Sequence, residues 1–144
     1  MLRTLFALIA GFFAAEIVIT LVELASAKLW FPPPPGLDFS DMTAVDAFVR
    51  SMPASALLVI VGGWLLGAFV GAGIAAALAR RHQLAVALVV GACITVGTGV
   101  NAAQIHHPLW VTAAGVLLPI PLAWLAATLA SKRFGQHQVD HTDQ

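Results

Sequence analysis

From Leu2 to Leu29 the chain stays apolar for longer than the roughly 20 residues that a helix needs to cross a bilayer, yet Glu16 and Glu23 interrupt the run. Three more apolar runs follow, at about 53–79, 84–105 and 109–130. Only 10% of the 144 residues are charged and 60% are apolar, against about 25% charged in ordinary soluble domains. Such a chain cannot cover a water-facing surface. The pattern predicts an all-α membrane protein of four transmembrane helices, forming one domain over 1–133. An outer loop would occupy 30–52, and a polar, disordered cytoplasmic tail would occupy 134–144.

The punctuation of the runs supports these limits. Trp30-Phe31 closes the first span with aromatics suited to a membrane–water boundary. Pro32-Pro33-Pro34-Pro35-Gly36 then predicts a stiff polyproline segment. Within the outer loop, Met42, Val45, Phe48 and Val49 recur at helical spacing, with Asp41 and Asp46 elsewhere. This predicts a short amphipathic helix lying at the membrane interface. Ser51 and Pro53 suit the start of the second span. Arg80-Arg81-His82, His106-His107-Pro108 and Lys132-Arg133 mark the remaining ends.

Arg3, Arg80, Arg81, Lys132 and Arg133 fall on one side of this layout, and only Lys28 and Arg50 on the other. The positive-inside rule then predicts cytoplasmic termini in a bacterial inner membrane, with the proline segment, the interfacial helix and the His-His turn in the periplasm. A second reading of the N-terminus stays open. Arg3, the apolar run and Ala25-Ser26-Ala27 also resemble a cleaved signal peptide, although the run is long for one and contains Glu16.

A carboxylate near the centre of a membrane helix costs roughly 3 kcal/mol or more, so it needs water, a partner or a proton. Glu16 and Glu23 fall on nearly one helical azimuth with Thr20 between them, which predicts a polar face turned into the protein. Glu16 would lie at mid-membrane and Glu23 about 10 Å further out. Thr95, Thr98, Asn101 and Gln104 line the outer half of the third span and lead to His106 and His107. Glu16, Thr20, Glu23, Asn101, Gln104, His106 and His107 are therefore the candidates for a proton- or cation-binding cluster. The bland alternative pairs Glu23 with Lys28 or water and leaves Glu16 protonated against a neighbouring helix.

Gly63, Gly67, Gly71 and Ala75, continued by Ala79, form a small-residue stripe that predicts close helix packing. The stripe does not say whether its partner belongs to the same chain, so a homo-oligomer or a larger membrane complex stays open. Pro119 and Pro121 withhold hydrogen bonds from the Gly115 and Leu117 carbonyls and predict a kink in the fourth span.

Several functions lack any motif here. There is no phosphate loop, nucleophile elbow, H-E-x-x-H motif or cysteine pair, and Cys93 is the sole cysteine. No enzyme activity, cofactor or metal site is expected, because adjacent histidines diverge rather than converge on an ion. No basic run suggests nucleic acid, which leaves the lipid bilayer as the expected environment.

At Val22-Glu23, Pro32 to Asp38, Met52-Pro53, Trp64-x-x-Gly67-x-x-x-Gly71 and His107-Pro108-x-Trp110 the chain resembles a group of small bacterial inner-membrane proteins. Those are four-span proteins with a proline-rich outer loop. The resemblance covers residues 1 to about 133, and it implies architecture but no activity. Ala15-Glu16-Ile17 also resembles the membrane-embedded glutamate region of small multidrug resistance exporters, which are four-span dimers exchanging protons for cationic drugs. The chain departs from that pattern in its second glutamate, its long outer loop and its lack of tyrosine. The leading expectation is a non-enzymatic structural or accessory membrane subunit. The alternative is a proton- or ion-coupled small-molecule transporter acting as an oligomer.

Overall fold

The computed structural model of the chain describes residues 2–79 and 81–139. Its helices in chain order are α1 (Leu2–Leu29), α2 (Met42–Ser51), α3 (Ala54–Leu78), α4 (Gln83–Gln104), α5 (Leu109–Leu117) and α6 (Pro119–Val139). α1, α3, α4 and the α5–α6 pair are four helices long and apolar enough to cross a membrane, as in a multi-pass membrane protein.

α5 and α6 are one span interrupted at Leu118. Neither Pro119 nor Pro121 can donate to the preceding turn, and the break falls directly before them. Thr95 on α4 donates its hydroxyl to the Val116 carbonyl at this break, 3.4 Å away. α6 carries the helix through Val139, beyond the expected end at 130. The rest of the expected tail, 140–144, lies outside the described residues, as does Arg80.

α1 and α3 run antiparallel and make the most extensive helix pair. A Cβ on Gly11 would come 2.6 Å from Ala75 Cβ, one on Gly71 would come 2.5 Å from the Gly11 carbonyl oxygen, and one on Gly67 would come 2.9 Å from that of Ala15. The small-residue stripe of α3 therefore faces α1 of the same chain, with one backbone laid against the other. Towards the start of α3 this changes. The atoms nearest a Cβ on Gly63 are those of the Val22 side chain, at 3.0 Å and beyond. A side chain stands between the helices there, so they are further apart.

The core follows the same gradient. Near the start of α1 it is built largely of alanines, with Ala72, Ala76, Ala87, Ala123, Ala126 and Ala127 from α3, α4 and α6 forming one cluster. Arg3 pins this end by donating from Nε to the Leu78 carbonyl, 2.9 Å away. At the opposite end, beside the 30–52 loop, Val49, Leu57, Val61, Trp64 and Val111 pack together. Small residues let helices approach, and larger ones hold them apart.

The outer loop folds by local rules. Leu37 N–H donates to the Pro34 carbonyl across Pro35 and Gly36, and Gly36 has φ +82°. This is the pattern of a type II turn, with proline second and glycine third. The proline segment therefore ends in a reversal. Asp41 then caps α2, its carboxylate accepting from the Thr43 and Ala44 N–H groups. Val49 of α2 is buried in the outer cluster, with Val45 and Met52 packed against it. The apolar side of α2 thus meets the bundle itself.

Candidate functional site

Glu16 is positioned by the α1–α3 contact. Ala15 points at α3 and is fully buried, and each further residue turns about 100° around the helix. Glu16 thus stands about 100° from the contact line and Glu23 about 80°, while Thr20 stands about 140° away and is exposed. Glu16 and Glu23 therefore lie within about 20° of each other on one side of the contact line, with Thr20 about 40–60° further round the same side. Glu16 is half-buried, and Thr20 and Glu23 are exposed.

Beside the seam lies a cavity of about 190 Å³ lined by Glu16, Ile19, Trp64, Ile94, Thr98 and Asn101, with Gly97 at its edge. Residues of α1, α3 and α4 thus converge on one chamber. The Asn101 carboxamide oxygen is buried and has no hydrogen-bond partner. Thr98 is buried and donates to the Ile94 carbonyl at 2.6 Å, so its hydroxyl oxygen can still accept. The polar lining is thus rich in acceptors.

Trp64 forms one wall. Its indole N–H donates to Glu23 Oε1 at 3.3 Å. Its ring lies edge-on to His107, with centroids 5.9 Å apart. Its position depends on Gly115, where a Cβ would meet the indole at 2.9 Å and Thr98 Cγ2 at 2.5 Å. The sequence did hold a signal for Trp64: an indole N–H deep in an apolar span needs an acceptor.

The other candidates are dispersed. Gln104 is exposed and bonds only to the Val100 carbonyl of its own helix. His107 Nδ1 lies 2.8 Å from the Ile105 carbonyl. His106 turns to α2, where the Asp46 carboxylate accepts from its backbone N–H and lies 3.1 Å from its Nδ1. The expected single cluster of seven residues is therefore corrected to a chamber with Glu16 and Asn101, a Glu23–Trp64–His107 wall and a separate Asp46–His106 contact. Adjacent residues such as His106 and His107 diverge by their backbone geometry. Among the described residues, no three His, Cys, Asp or Glu side chains gather where they could hold a metal ion.

The Asp46 contact has a pH dependence. The bond from the His106 backbone N–H, aided by the His106 ring and Arg50, holds the Asp46 carboxyl below its ordinary range despite an opposing effect of desolvation. A folded-state value below the unfolded one stabilises the fold above the ordinary carboxylate pKa of about 3.9. That contribution is lost as pH falls through the lowered folded value. Hydrogen exchange should therefore show α2 and the His106 amide protected at about pH 6 and progressively less protected as the pH falls below the ordinary carboxylate range. Asp46→Asn should flatten this dependence, since an amide still accepts but does not titrate. Unchanged pH dependence in that variant would refute the assignment.

No protein-family model matches the chain, and no curated protein or solved structure is detectably similar to it.

Proposed function

We propose that this chain is a non-enzymatic protein of a bacterial inner membrane whose chamber takes up a proton or a small cation. One observation carries the reading: the mid-span carboxylate of Glu16 lines the same small cavity as the unpartnered carboxamide oxygen of Asn101. A carboxylate and a free carbonyl-type oxygen attract a cation, a protonated water or a hydrogen-bond donor. At about 190 Å³ the chamber is smaller than the roughly 300–1,000 Å³ of sites for drug-sized ligands. The cargo is therefore an ion and its waters. The test is release of protons when Na⁺, K⁺ or ammonium is added to purified protein, compared between wild type and Glu16→Gln.

A second reading, an accessory subunit of a larger membrane assembly, is favoured by a different surface. A groove of about 480 Å³ runs between α3 and α6, lined by Phe69, Val70, Gly73, Ile74, Ala126 and Leu129 among others. Its apolar, small-residue floor suits another membrane helix. Purification in mild detergent separates the readings. A stoichiometric partner supports the accessory role, and a homogeneous homo-oligomer supports the ion-binding one.

The proposed topology keeps both termini cytoplasmic and places the 30–52 loop in the periplasm with α2 at the interface. The resemblance to four-span inner-membrane proteins supports this arrangement, as does the distribution of basic residues. Reporter fusions at residues 40 and 107 should be active with a periplasm-only reporter, and fusions at 82 and 140 should be silent. Activity at 82 or 140 would overturn the topology.

A further inference from the structure

A second cavity lies outside the Trp64 wall. It measures about 210 Å³ and sits between the outer end of α1, the proline loop, α2 and the start of α3. Its lining includes Phe31, Phe39, Phe48 and Met52 together with Ser26 and the exposed Glu23 of α1. Glu23 is the sole charged group in the lining. One of its carboxylate oxygens accepts from Trp64, and the other has no hydrogen-bond partner among the described residues. Aromatic faces attract cations through their quadrupoles, and a thioether adapts to irregular apolar shapes. The pocket therefore combines one negative charge, several aromatic rings and an apolar wall.

This chemistry selects its ligand class. An anion would meet the Glu23 charge. A metal ion would find a single carboxylate where it needs several ligands. A neutral apolar molecule would offer the Glu23 carboxylate no donor. We propose that this outer pocket binds an organic ammonium ion, with its charged nitrogen on Glu23 and its apolar body against Phe31, Phe48 and Met52. The pocket shares no lining residue with the Glu16 chamber, so either assignment can fail without the other. The ammonium could belong to a soluble amine or to an ethanolamine lipid headgroup, since both present the same charge.

Phenethylammonium and its uncharged analogue 2-phenylethanol test the proposal on the full chain in phosphatidylglycerol nanodiscs, with calorimetry as the readout. Wild type should bind the amine at least tenfold more tightly than the alcohol. Glu23→Gln should abolish that preference while remaining folded, because its amide oxygen still accepts from Trp64. Phe48→Leu should weaken the amine severalfold, and Glu16→Gln should leave it unchanged. Equal binding of amine and alcohol, retained affinity in Glu23→Gln, or loss in Glu16→Gln alone would overturn the assignment. Adding phosphatidylethanolamine to the discs identifies the source. Competition that disappears in Glu23→Gln assigns the pocket to the headgroup, and an unchanged affinity assigns it to the soluble amine.

Discussion

Gly71→Ala should destabilise the protein by about 1–3 kcal/mol, the usual penalty for forcing a methyl group into a packed interior. The added carbon would lie 2.5 Å from the Gly11 carbonyl oxygen and 2.7 Å from Ala15 Cβ. Both belong to the facing helix, so relief requires α1 and α3 to separate along their whole contact. Gly71→Leu should prevent assembly of the bundle. Gly73→Ala is the control two residues away. Its methyl group would meet Ala126 Cβ at 3.8 Å, an ordinary contact. Replacing a helical glycine by alanine there should stabilise by up to about 1 kcal/mol. Detergent unfolding curves with size-exclusion profiles report both effects. Equal behaviour of the two alanine variants would remove the case for a backbone-to-backbone α1–α3 contact.

Glu16→Gln should abolish cation-linked proton release and leave the fold intact. The proton and the cation compete for one carboxylate, so binding of the ion expels the proton. Glutamine keeps the shape and the acceptor oxygen but cannot ionise. Asn101→Val should leave proton binding in place and weaken the cation tenfold or more, since a bond to a charged group is worth about 1.5–3 kcal/mol. The accessory reading makes the opposite forecast. In that case Glu16→Gln is nearly silent and Glu16→Leu is the damaging change, because a neighbouring polar group loses its partner. If wild type releases no protons with any of these ions, or Glu16→Gln releases as many, the coupling role of Glu16 fails.

The four helices are legible in the sequence because the bilayer imposes a length and an apolar composition that few other structures share. Their ends carry local signals as well, among them Trp30, Pro53, His82 and Pro108. The small residues of α3 are legible as a packing face, but their partner is not. Any helix with matching small residues could fill that role, and only the folded chain brings Gly11 and Ala15 to Gly71. The site divides in the same way. Glu16 and Asn101 stand out in sequence because polar groups in lipid need an explanation.

Their joint chamber depends on how far α1 is rotated against α3, a quantity set by packing. That rotation sets Glu16 beside Ile94, Thr98 and Asn101 of α4 and leaves Thr20 exposed. The link between Asp46 and His106 spans 60 residues of chain, and nothing local announces it. Trp64 likewise shows its need for an acceptor in the sequence, but its choice of Glu23 follows from the antiparallel register of α1 and α3. Sequence by itself thus determined the four spans and which polar groups require partners, but not where the last helix ends, since α6 runs to Val139. Those properties follow from hydrophobicity, proline geometry and the cost of burying charge, each of which acts on a short stretch of chain. Tertiary structure alone decided which groups meet, because rotation and spacing between helices are set by side chains distant in sequence packing against one another.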